Sequence, residues 1–231
     1  MDASQINRKI NAGRGKVASK LGLSYSVFRP LVASDPLTNK VDSIKASFNA
    51  GDGKYLKPNM PGDPIWFGDF DGSFTSPGDY LVSEGNPSDI KFIAAQQFML
   101  PIIVIDCNRS IRISRSNHQA SGNVGAIGYS GICDSAGEST DALGMNPGNN
   151  GGVFVGWPCS MIFGKGKLRN ADGLPGAATD QMGWMVYLPS STPIEVKSGD
   201  RLSDDLGRMF VVNGAEQSDI GWRINAIEAH P

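Results

Sequence analysis

Paired carboxylates are the first chemistry this sequence offers. Asp69, Asp71, Asp79 and Glu84 fall in one short stretch. A hydrolase would need two such groups held at different proton affinities. These four stand among turn formers, Asp71-Gly72 and Ser76-Pro77-Gly78-Asp79, where aspartate is expected to bond its own backbone or face water. Nucleophilic catalysis needs a base beside a serine or cysteine. The two histidines are His118, in a glycine-rich stretch with no GxSxG, and His230, next to the end. Cys107, Cys133 and Cys159 show no CxxC spacing, so with two histidines a zinc set is poorly supplied. Buried thiols are the expectation, with a Cys133–Cys159 bridge left open. Gly164-Lys165-Gly166-Lys167 lacks the full phosphate-loop spacing and reads as a basic turn. Trp66, Trp157, Trp184 and Trp222 suit a core or a subunit interface better than a sugar platform. The expectation is therefore no catalytic residue, no cofactor and no metal.

The elements that would carry these residues are short. Gly 29 and Pro 14 together approach a fifth of the sequence, which predicts many strands and turns and few helices. Charged residues are 19% and the net charge is −2, so nucleic-acid contact is expected to be at most non-specific. The sequence has no apolar run long enough for a helical membrane span.

Residues 1–24 read as a helical arm. Ile6, Ile10, Val17 and Leu21 recur at helical spacing, with Arg8, Lys9, Arg14, Lys16 and Lys20 elsewhere on the helix. Gly13 and Gly15 each weaken such a helix by about 1 kcal/mol, which suits an arm ordered by a partner. Residues 25–115 read as a first β module, ending on the alternating run Ile111-Arg112-Ile113-Ser114. Residues 116–152 hold nine glycines and no apolar period, and read as a long connecting loop. Ile127, Tyr129, Ile132 and Leu143 are its expected contact side chains. Residues 153–231 form a second β module.

The two modules echo each other. Gly78-Asp79 recurs as Gly199-Asp200, each a sharp turn into a strand. Each is preceded by a tryptophan strand, Trp66 or Trp184, and each is followed by a strand that opens on an aromatic, Phe92 or Phe210. The expected fold is mainly β: two small barrel- or sandwich-like modules, an amino-terminal α-helix and a long glycine-rich connection.

The segment "VKSGDRLSDDLGRMFVVNGAEQSDIGWRINAIEA" resembles small β-barrel proteins of tailed bacteriophages, including head–tail joining and stopper types. The segment "YLKPNMPGDPIWFGDFDGSFTSPGDYLVSEG" and the later "KFIAAQQFMLPIIVIDCNR" resemble phage structural proteins, as does the helix leading into "YSVFRP". The resemblance implies a virion component, made in the host cytoplasm, that packs with tail, baseplate or neck subunits and forms rings of its own copies. It implies no catalytic centre. A virion-associated cell-wall hydrolase and a carbohydrate-binding module are the alternatives from other classes.

Overall fold

The computed structural model describes residues 2–50, 63–116, 139–141, 156–167 and 182–229. Helix α1 (Ala3–Leu21) buries Asn11 and Ala18 and packs mainly on the strand Lys40–Asn49. It stops where Gly22 turns extended, with its N–H bonded to Ala18 O at 2.7 Å. A Cβ at Gly22 would lie 2.7 Å from Ala46 O, so only glycine lets the chain pass there.

Six strands then close a barrel. They are β1 (Leu23–Phe28), β2 (Lys40–Asn49), β3 (Ile65–Asp69), β4 (Tyr80–Ser83), β5 (Ile90–Ala95) and β6 (Ile102–Cys107). The closed order is β1-β2-β3-β6-β5-β4, with every neighbour antiparallel. Side chains alternate faces along a strand. Leu81, Ile93, Ile102 and Val104 join Tyr25, Val27 and Ala46 in the barrel's own core, with Ala18 of α1. The alternate set, Tyr80, Phe92, Ala94, Ile105 and Cys107, belongs to a second cluster, shared with the rest of the chain. Burial on both faces explains why β5 carries the apolar run Phe92-Ile93-Ala94-Ala95 after Lys91.

The second sheet comprises β7 (Arg109–Ser116), β8 (Ser139–Asp141), β9 (Trp157–Lys167), β10 (Met182–Leu188), β11 (Arg201–Asp204), β12 (Met209–Ser218) and β13 (Gly221–Ala229). Its order is β11-β12-β13-β10-β9-β7-β8, and β11 also pairs with β7. That extra pairing joins six strands into a ring, β7-β9-β10-β13-β12-β11, with β8 added along β7. The ring repeats the strand order of the first barrel.

The repeat holds residue by residue. Val27↔Leu81 in the first ring is matched by Ile113↔Leu202 in the second. Tyr25↔Ile44 is matched by Ile111↔Trp157, and Phe48↔Gly68 by Met161↔Val186. Trp66↔Val104 is matched by Trp184↔Ala226, and Ile93↔Val104 by Val212↔Ala226. The β-bulge between Ile93 and Ala95 recurs between Val212 and Gly214. The chain is thus two copies of one six-strand unit.

Two details differ from the sequence expectation. The strand Arg109–Ser116 opens the second barrel rather than closing the first, so the junction falls at Asn108 and residues 116–152 lie between two strands of one barrel. The alternation of Ile111 and Ile113 marks a strand but does not say which sheet it enters. The aromatic echo is also one residue out of register: Lys91 is the equivalent of Phe210, and Phe92 of Val211. A shift of one position moves a side chain to the other face of the sheet.

Candidate functional site

The Gly-Asp turns are built identically. Gly78 has φ +92° and Gly199 φ +90°, the left-handed backbone that glycine adopts without strain. Gly78 N–H bonds Ile93 O at 2.7 Å, and Gly199 N–H bonds Val212 O at 2.8 Å. Asp79 accepts the Ser76 N–H and Asp200 the Lys197 N–H, both at 2.8 Å. Each carboxylate is buried and gripped by a two-pronged arginine. Arg29 Nε and Nη2 reach Asp79 at 2.8 and 2.7 Å; Arg115 Nε and Nη2 reach Asp200 at 2.7 and 2.8 Å. These bonds raise the proton affinity of both guanidiniums further, against a smaller opposing effect of burial. Arg29 directly follows β1 and Arg115 stands near the end of β7, the equivalent strand, so each clamp ties that strand's end to the turn opening its neighbour. The arginines were not singled out from sequence, because their partners lie far along the chain.

The remaining carboxylates do not converge. Asp69 accepts from Asn49 at 2.8 Å, and Asp71 from the Ser73 N–H and hydroxyl at 3.0 and 2.6 Å. Glu84 accepts from Ser26 and Ser43 at 3.1 and 3.0 Å. The bonds from Ser43 and Ser26 hold its carboxyl below the usual range, opposite to what a general acid needs.

A buried cation closes one end of the first barrel's core. Lys91 Nζ donates to Asp89 and, at 3.0 Å, to Asp106, and sits 5.3 Å from the centre of the Phe48 ring. Tyr25 OH donates to Asp89 at 2.7 Å. Burial works against the lysine's charge, but the bonds and fields of the two aspartates outweigh it and raise its proton affinity. Burial, then the Asp89 bond, pushes the Tyr25 phenol up. In the second barrel Phe210 takes the place of Lys91, and Arg208 lies 4.7 Å from the Trp184 ring centre and bonds the fully buried Asp204. A charged plug and an aromatic one thus fill equivalent positions.

The other candidates are dispersed. Cys107 and Cys159 are buried, and burial pushes both thiols up, away from reactivity. Cys133, His118, His230, Ile127, Tyr129, Ile132 and Leu143 lie outside the described residues. Gly164–Lys167 is the end of strand β9. Trp157 and Trp222 are buried, and Trp66 and Trp184 pack against cores, so the four form no common platform. On α1, Ile6 and Ile10 are half-buried, whereas Val17 and Leu21 are 45% and 77% exposed.

The barrels are locked together. Tyr80 OH donates to Pro158 O at 2.8 Å and its ring meets Trp157 edge-on. Trp157 Nε1 donates to Ala33 O, Ser191 Oγ to Gly78 O, and Asn108 exchanges bonds with both backbone groups of Met161. The outer face of β4, β5 and β6 therefore sits on the end of the second barrel where β9 begins. Among the described residues no group of three or more His, Cys, Asp or Glu could hold a metal ion, and no helix is long and apolar enough to cross a membrane. No family model matches the chain, and comparisons with curated proteins and with solved structures give no match.

Proposed function

We propose that this chain is a non-catalytic structural subunit of a tailed-phage particle, held in the tail or baseplate by contacts with neighbouring subunits. One observation carries the reading: the polar groups best placed for chemistry are spent on joining strands, while large apolar side chains stay in water. Asp79 and Asp200 clamp strand ends, and Lys91 plugs a barrel. Leu21, Leu23, Leu31, Phe74 and Met99 are each at least 60% exposed. Scattered apolar residues are ordinary on a surface, but a set of this size on a small two-barrel body suits contact with other subunits. The likeness of its segments to phage barrel proteins supplies the setting, and head–tail neck is the second location that likeness allows.

The test is to purify tailed particles from cells that encode the chain and locate it in an electron-microscopy map. Two-barrel density at the tail end is the expected result. Absence of the chain from purified particles overturns the proposal. Dose-dependent clearing of purified peptidoglycan, lost in Asp69→Asn or Glu84→Gln, would overturn its non-catalytic part.

A further inference from the structure

The duplication makes an unfilled position visible. In the first barrel, the outward face of β4, β5 and β6 carries Tyr80, Ile90, Phe92, Ile105 and Cys107, and it is buried against the second barrel. The equivalent outward face of the second barrel, on β11, β12 and β13, carries Arg201, Met209, Val211, Ile227 and Ala229 in the matching register. Among the described residues, no second barrel is seated on it as one is on the first. Met209 is 46% exposed and Val211 40%, and Ile227 is only partly covered. Four of the five positions are apolar, and two of those four are exposed.

The receiving end is duplicated too. The first barrel sits on the second at Trp157, Pro158 and Ser191. In the first barrel the equivalents of Trp157 and Pro158 are Ile44 and Lys45. There α1 occupies part of the space: a Cβ on Gly15 would lie 3.1 Å from the Asp71 Cβ. It leaves a groove of about 480 Å³ lined by Ile44, Lys45, Asp71 and Phe74. Phe74 is 66% exposed.

We infer that the outward face of β11, β12 and β13 docks on the α1 end of the first barrel of a second copy of this chain, continuing between molecules the contact made within one. The internal interface identifies the occupant, because it shows this face, in this register, seated on this end of the same unit. The contact is head-to-tail, so each molecule keeps one free face and one free end, and successive copies extend a chain that either closes or grows. The inference deepens the subunit proposal and rests on it for its setting.

Sedimentation equilibrium of the full chain tests it. Concentration-dependent association is expected. Val211→Asp and Phe74→Asp, both at exposed positions, should each weaken association by about tenfold or more while the melting temperature holds. One variant has lost the face and the other the end, so their mixture retains a single good contact. It should form a 1:1 complex and nothing larger. A parent chain that stays monomeric at all concentrations overturns the inference, as does Phe74→Asp that self-associates like the parent, which would indicate face-to-face pairing. A chain present in particles but monomeric alone defeats this inference and spares the subunit proposal. One that associates head-to-tail but is missing from particles does the reverse.

Discussion

At the scale of single residues, the two Gly-Asp turns share a conformation but not surroundings. Gly199 has open space around an added Cβ, whereas one on Gly78 would lie 2.8 Å from Ser191, a residue of the other barrel. A left-handed backbone costs a non-glycine residue about 1–2 kcal/mol. Gly199→Ala should therefore lower stability by about that amount, and Gly78→Ala by more, since it also presses on the contact between barrels. Thermal melts of the two variants give the comparison, and equal melting points for both variants and parent would remove the turn assignment. The Lys91 cluster makes a pH prediction. Its raised folded affinity means the stabilisation is complete below the unfolded lysine value of about 10.4 and is lost as pH rises through the higher folded one. Tyr25, raised as well, acts in the same direction. Lys91→Met should cost about 1–3 kcal/mol at neutral pH, because Asp89 and Asp106 keep some access to water. The gap between parent and variant in urea midpoint should narrow from pH 9 to pH 11. A constant gap would mean the cost is one of packing alone.

At the scale of elements, the turns and the paired tryptophans were readable because they are local: glycine and aspartate act on their own backbone, and Trp66 and Trp184 occupy one position of two copies. The strand Arg109–Ser116 was readable as a strand and unreadable as to partner, since its alternation fits any half-buried sheet. The arginine clamps were invisible for a related reason. Arg29 and Asp79, or Arg115 and Asp200, meet only when the ring closes. The placement of the glycine-rich stretch carries a prediction. Removing residues 119–150 takes away β8, but β7 keeps β11 on one side and β9 on the other. Six strands remain to close the ring. The deletion variant should keep its β circular-dichroism spectrum and melt cooperatively. Loss of both would mean that this stretch contributes to the second barrel's core.

At the scale of the whole molecule, the cores are not divided as the modules are. Tyr80, Phe92 and Ile105 are strands of the first barrel by hydrogen bonding and part of the second barrel's cluster by packing. No sequence pattern could assign them so, because an outward apolar residue next to an inward one reads simply as a buried strand. The consequence is energetic coupling. If the first barrel unfolded alone, it would expose Trp157, Met161 and their neighbours. If the second did, Tyr80 and Phe92 would face water. The parent chain should therefore lose both barrels in one transition, with coincident curves from far-ultraviolet circular dichroism and tryptophan fluorescence. Tyr80→Ala removes a fully buried ring and the bond to Pro158 O, at a cost of about 3–5 kcal/mol. The loss falls at the junction, so it should lower the melting point and also separate the two curves. Two transitions already present in the parent would show that each barrel stands alone and that the shared cluster adds little. A Tyr80→Ala chain that melts lower yet in a single step would place the coupling elsewhere, at the Asn108–Met161 and Trp157–Ala33 bonds.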